Sequence, residues 1–467
     1  MANLSMAGEI LRATFIHTPE NSFYEQKPLA AHEDGGILIR DGRIADSGDF
    51  REVLARNPGV ATVDMRGGFL LPGFVDTHTH FPQLRVLGSL GRSLLDWLEE
   101  CALPEEARMA DTAYAASIAR QFVDSLLRHG TTTAMVFGAH FGAATAALFA
   151  AAESAGLRMA AGLVLSDRYL RPELHVDAET AYRESTALIR QFHQRGRQLY
   201  AVTPRFALSA SEAILEVCQT LRREQAGLRF QTHLNESPAE IGEVVKRFPW
   251  ASDYFGIYER FDLCGVGAVM AHDVHPRDAE IERLAATATT VAHCPSSNAA
   301  LGSGIFPMAR HLRARVPIAL GTDVGGGTGF GMLKEGLQAY LMQRVAPEGE
   351  LLDGARLLYL ATKAGAKALQ LDEEIGDLAP GKSADLVYLR PRPETPLAAV
   401  LEAAKTPERM LEALFTLAGE ESVQEVRIAG SVVWRALSVP RRRSCRRSPF
   451  WLSSLVIFGN PVILAIR

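Results

Sequence analysis

The sequence predicts an α/β protein: a (β/α)₈ TIM-like barrel with a small β-sandwich domain formed from both chain ends. Three observations predict it. Eight short apolar runs alternate with longer helical stretches through the centre of the chain. β-like segments with turn residues stand on both sides of that centre. Residues with metal-ligand chemistry fall at the ends of several of the eight runs.

The 467 residues leave room for a barrel plus an accessory domain, and 47% hydrophobic content allows a sizeable core. Lys+Arg number 49 against 54 Asp+Glu, a net charge of -5, which argues against a nucleic-acid partner. Cys101, Cys218, Cys264, Cys294 and Cys445 are odd in number and form no C-x-x-C pair. They fit a reducing compartment and count against a structural zinc finger and the Cys-ligated nucleobase deaminase fold. The first residues lack a basic region followed by an apolar run, so the expected location is cytoplasmic.

Residues 1–70 read as the first part of the β domain. Gly36–Ile44 is a hairpin with Asp41-Gly42 at its turn, and it needs partner strands to bury its faces. Those partners are expected in 376–436, where Ala384–Leu389 and Val423–Trp434 are again β-like. Residues 71–375 are the expected barrel. Its strand candidates end at Phe74–His78, Thr133–Phe137, Ala161–Leu165, Leu199–Thr203, Phe230–His233, Val269–His272, Thr290–His293 and Ile318–Asp323. The stretches 111–128, 143–155, 179–195 and 211–225 carry helical spacing between them. Residues 437–467 hold six arginines, no acid and a short apolar run broken by Gly459, Asn460 and Pro461. That segment reads as a poorly ordered basic/apolar extension rather than a membrane anchor.

His78 and His80 are two apart at a strand end, so both imidazoles point to one side. His233 ends the fifth barrel strand, His272 the sixth and Asp323 the eighth. All strand C-termini converge on one mouth of a barrel, so these five residues are expected to meet as a metal site. Neutral imidazoles with one carboxylate suit zinc and leave a position for water. Glu236, three residues after His233, is placed to serve that water, and Asp323 to take its first proton. Asp76 is expected to point inward and bond a ligand, and His129 to cap a helix. His293 and Cys294 are candidates for the mouth, while His140 and His275 receive no role.

Pro72–His80, the single histidines after strands five and six, and Gly321-Thr322-Asp323 together resemble the amidohydrolase superfamily. Many members bridge two metals with a lysine on the fourth strand; here that strand runs into Thr203-Pro204-Arg205-Phe206, and the resemblance implies one zinc per subunit. Within the superfamily the chain is most similar to the guanine deaminases, over residues 30–435. The matching stretches include His80-Phe81-Pro82-Gln83, Leu94–Leu98, Gln231–Ser237, Cys294–Asn298 and Gly321–Gly327. That resemblance implies zinc-activated water attacking C2 of guanine, giving xanthine and ammonia. It assigns catalysis to Glu236, Asp323 and His272. Gln83, Arg205 and Phe206, with His233, Glu236 and Asp323, would bind the substrate. It also implies a homodimer, with no nucleic-acid or membrane partner. The alternatives are another mononuclear superfamily hydrolase acting on a triazine, cytosine or an adenine-type nucleoside, or a catalytically silent scaffold.

Overall fold

In the computed structural model, which describes residues 8–26 and 28–436, four strands come first: β1 (Glu9–His17), β2 (Ala30–Arg40), β3 (Arg43–Asp49) and β4 (Ala61–Pro72). The expectations placed on 437–467 lie outside the described residues. Asp41 and Gly42 take φ of 49° and 76°, as a two-residue turn between right-twisted strands requires. They join β2 to β3 with Arg40 opposite Arg43.

The barrel strands follow: β5 (Phe74–His80), β6 (Thr131–Phe137), β7 (Arg158–Gly162), β8 (Val164–Leu165), β9 (Gln198–Pro204), β10 (Arg229–Leu234), β11 (Ala268–His272), β12 (Thr290–His293) and β13 (Ile318–Leu320). They pair in parallel and in chain order, with β8 a two-residue extension beyond β7 that pairs with β9. All eight expected strands are therefore present. The ring closes between β13 and β5: Thr77 Oγ1 donates to Leu320 O at 2.8 Å and Asp323 N–H to His78 O at 2.8 Å. Small or unbranched side chains, among them Met135, Ala160, Ala201, Ala271, Ala292 and Ala319, fill one buried cluster spanning these strands.

Helices Thr112–Arg128, Gly142–Ala155, Ala178–Phe192 and Glu212–Glu224 occupy the expected stretches. The first shows why. Asp111 accepts from the N–H groups of Ala113 and Tyr114, capping the start. Ala115, Ile118, Ala119, Phe122, Leu126 and Leu127 recur at helical spacing and are buried. Each large apolar residue so buried contributes roughly 1.5–3 kcal/mol. His129 ends the helix, its Nδ1 2.8 Å from Ser125 O, in the capping role expected of it.

The last strands, β14 (Leu386–Leu389), β15 (Val423–Ile428) and β16 (Ser431–Arg435), return to the first four. The sheet order is β16-β15-β14-β4-β1-β2-β3, so both chain ends build it. It is one curled sheet: Ile44 N–H reaches Lys382 O, and Ala384 N–H reaches Gly42 O. The expected sandwich is this sheet folded over Leu11, Ala13, Phe15, Ile37, Leu378 and Leu386. No helix among the described residues is long and apolar enough to cross a membrane.

Candidate active site

The strand register brings the five expected ligands to one place. His78 and His80 share a side of β5, with their Nε2 atoms 3.2 Å apart. Asp323 Oδ1 lies 3.3 Å from His78 Nε2 and 3.1 Å from His80 Nε2. His272 Nε2 stands 3.9 Å from Asp323 Oδ2, and the His233 ring stacks on that of His272 at 5.4 Å. Asn235, His272 and Asp323 have φ of 47°, 75° and 46°, a left-handed conformation rare outside glycine. Such residues cluster where a site over-determines the backbone. The eighth strand was expected to run through Asp323 but ends at Leu320. A Cβ at Gly321 would stand 2.7 Å from His78 Cβ, so the chain turns there and carries Asp323 across the mouth.

The donors are prepared for a cation. His233 Nδ1 donates to Arg205 O at 2.6 Å, and His272 Nδ1 to Asn298 Oδ1 at 2.9 Å. Each bond fixes the tautomer and turns the Nε2 lone pair inward. His272 Nε2 is buried with no hydrogen-bond partner among the described residues. Burial pushes His78 down to about 3 and His233 well below the usual range, so both are neutral and able to ligate. Burial would raise Asp323, but hydrogen bonds from His78 and His80 hold it well below the ordinary carboxylate value. Among the described residues the groups able to hold a metal, His78–His233–His272 and His78–His80–Asp323, share His78 and form one cluster. The set fits a metal ion.

Beside the cluster lies a slot walled by Leu94, Trp97, Leu98, Phe206 and Leu301. Glu236 borders it, with Oε2 3.6 Å from His272 Nε2 and Oε1 accepting from Ser303 Oγ at 3.3 Å. Burial pushes Glu236 up to about 7. Burial also disfavours the charged His272 ring, but Glu236 and Asp323 outweigh it and raise that ring. At the far end stand Gln83 and Arg205, and between them a residue the sequence reading missed. Glu106, 3% exposed, takes Arg205 Nη1 at 2.7 and 2.9 Å and Gln83 Nε2 at 2.7 Å.

The sequence pattern of the amidohydrolase family matches residues 69–433. The chain belongs to the amidohydrolase family. A relative from Deinococcus radiodurans, named probable guanine deaminase, is 54% identical over 432 residues, covering 91% of this chain and 98% of its own. The solved structure titled E. coli guanine deaminase superposes with a TM-score of 0.88 at 36% identity, covering 91% of this chain and 99% of that one. An adenosine deaminase from Xanthomonas campestris, solved with bound zinc, gives 0.79 at 25% identity, covering 91% and 92%.

This amidohydrolase is thus a hydrolytic enzyme of a metal-using family, and its fourth barrel strand, β9, carries no lysine. Several residues sit elsewhere than expected. Asp76 does not reach a ligand ring: it accepts from the backbone N–H groups of His78 and Thr322 and from Thr322 Oγ1 at 2.5 Å, so it ties the β5–β13 seam. His293 and Cys294 are buried off the slot, His293 stacked on Phe306 and Cys294 Sγ 3.6 Å from Ala292 O. His275 Nε2 bonds Ser303 O at 2.6 Å, on the loop that supports Glu236. His140 lies behind the slot, 3.3 Å from Glu106.

Proposed function

We propose that this protein is a guanine deaminase, adding water at C2 of guanine and releasing xanthine and ammonia. The observation that carries the reading is the slot itself: the His/Asp cluster and Glu236 at one end, and Gln83 and Arg205, both held by Glu106, at the other. The relatives named for that activity, aligned over nine-tenths of the chain, support it.

We assign one zinc per subunit to His78, His80, His233, His272 and Asp323, because imidazoles plus one carboxylate suit zinc. Bound there, the ion would supply a Lewis acid that lowers the pKa of water from 15.7 toward about 7. Asp323 takes the first proton from the attacking water. Glu236, poised near neutrality, gives its proton to N3 of guanine. It then takes the proton left on the attacking oxygen as the C2 carbonyl forms and passes it to the departing amine. The proton held by Asp323 then restores Glu236. Guanine presents O6 and N7 as acceptors on one edge, which suit the N–H groups of Arg205 not used by Glu106. Phe206 gives the ring an aromatic face worth roughly 1–3 kcal/mol. Burial keeps His233 neutral, whereas Glu236 and Asp323 raise His272 against its burial.

All of these residues lie within 71–375, which we propose as the catalytic barrel, with 1–70 and 376–436 as its supporting β domain. A cytoplasmic location fits the four free cysteines among the described residues. A homodimer completes the proposal, to be checked by light scattering. The deciding test is the absorbance change from guanine to xanthine, paired with ammonia release. Zinc-loaded protein that leaves guanine untouched overturns the reading.

A further inference from the structure

Resting on that reading, we infer that Glu106 is the positioning residue that fixes the donor and acceptor pattern of the pocket, and so its preference for a keto purine. A carboxylate can only accept hydrogen bonds. Gln83 must therefore turn Nε2 toward Glu106, as it does at 2.7 Å, and Oε1 the other way. That Oε1 is buried with no partner among the described residues. Leaving such an acceptor unmet is unfavourable, and a ligand N–H that reached it would relieve that. Gly325 makes the space: at φ +120° it has no side chain, and a Cβ there would stand 2.1 Å from Gln83 Oε1.

Arg205 is constrained by the same group. Nη1 is held by both oxygens of Glu106, and a guanidinium this deep needs a counter-charge. Its other nitrogens make no protein hydrogen bond among the described residues, and Arg205 lines the slot. His140 closes the remaining side of Glu106. Although burial raises the Glu106 carboxyl, Arg205, His140 and Gln83 hold it below its ordinary value, so it stays an acceptor.

Gln83 and Arg205 both line the slot, so the far end holds one unpartnered acceptor, Gln83 Oε1, and one fixed donor set, from Arg205. Guanine answers both, with ring N–H groups and O6. 2-Aminopurine carries the same C2 amine but lacks O6 and the N1 proton. A plain structural ion pair at Glu106 would instead affect folding and both purines equally.

The test compares wild type, Glu106→Gln and Glu106→Asp, reading kcat and KM for guanine and the competitive Ki of 2-aminopurine. Two facing amides can bond in either sense, so Glu106→Gln frees Gln83 to turn. KM for guanine should rise about tenfold or more while kcat stays within about threefold. The ratio of Ki to KM, about a hundred or more in wild type, should fall about tenfold. Glu106→Asp keeps a group that can only accept, so its ratio should stay within about threefold of wild type even where KM rises. It also keeps the question open to test if Glu106→Gln does not fold. An unchanged ratio in Glu106→Gln, a collapsed ratio in Glu106→Asp, or no gap in wild type overturns the inference and leaves guanine turnover standing. Wild type inert toward guanine overturns both.

Discussion

At the reacting end of the slot, the side chains sit on strand ends and just beyond them: His78 and His80 on β5, His233 on β10, His272 on β11, with Asp323 following β13. At the recognition end they sit on helical turns and loops: Gln83 in the turn Phe81–Val86, Glu106 in the helix Leu103–Ala107, Arg205 just past β9. The first set is placed by a closed ring of parallel strands, each fixed by its neighbours. The second depends on one buried carboxylate that holds two loops together. The difference teaches where specificity can drift: ring geometry resists change, whereas one substitution at Glu106 reorders the far end.

The largest expected effect breaks the reacting end alone. Chelation of the metal should abolish turnover, and added zinc should restore it, with metal analysis giving one zinc per chain. Full activity in metal-free protein would dismantle the assignment of all five ligands. Next is Glu236→Gln, which keeps shape and loses the proton shuttle. We expect kcat to fall about 10²–10⁴-fold with metal content unchanged. Turnover near wild type would place the shuttle on another group.

The two ends were not equally legible in sequence. Period-2 register put His78 and His80 on one side, and convergence of barrel strand ends gathered His233, His272 and Asp323. That reasoning needs only a strand count. Glu106 lies in Leu94–Ala110, where four short helical turns follow one another, the second of them a π turn. No single period describes such a segment. In sequence nothing sets Glu106 apart from its neighbour Glu105. In the structure Glu105 bonds Tyr114 and Arg108, and only Glu106 turns toward Gln83 and Arg205. One signal was available: a buried Arg205 demands a counter-charge, which announces a carboxylate without saying which one. Asp76 failed for a related reason. Its strand position was read correctly, but Thr322 across the seam claims its carboxylate.

Arg205→Ala probes the recognition end and should leave the reacting end intact. KM for guanine should rise about 10–100-fold, with zinc content unchanged. The melting temperature should also fall, because Glu106 is left buried without its cation, a loss of about 3–5 kcal/mol when one partner of such a pair is removed. Parallel loss of zinc and of binding would make the Arg205 side chain a support for the loop whose carbonyl holds His233, rather than a purine contact.

The smallest effect comes from a carboxylate that belongs to neither end. Glu335 is fully buried on the helix Met332–Val345 and accepts from Ser296 Oγ at 2.7 Å and Ser296 N at 3.2 Å. Burial pushes it up to about 8, against the Ser296 bonds, so it resembles Glu236 in titration but does not border the slot. The folded chain keeps this proton up to about pH 8, whereas the unfolded chain releases it near about 4.3. Between those values the folded state binds more protons, so the stability due to this group is lost as pH rises. Glu335→Gln removes the titration. It should match wild type near pH 5 and exceed it near pH 8 by on the order of 1–3 kcal/mol, read by denaturant melts. Guanine turnover should stay within about twofold, in contrast to Glu236→Gln. A large loss of turnover in Glu335→Gln at unchanged stability would show that the chemistry reaches beyond the slot. A flat response in both would mean that the acid is already ionised by a neighbour and that burial alone does not set its charge.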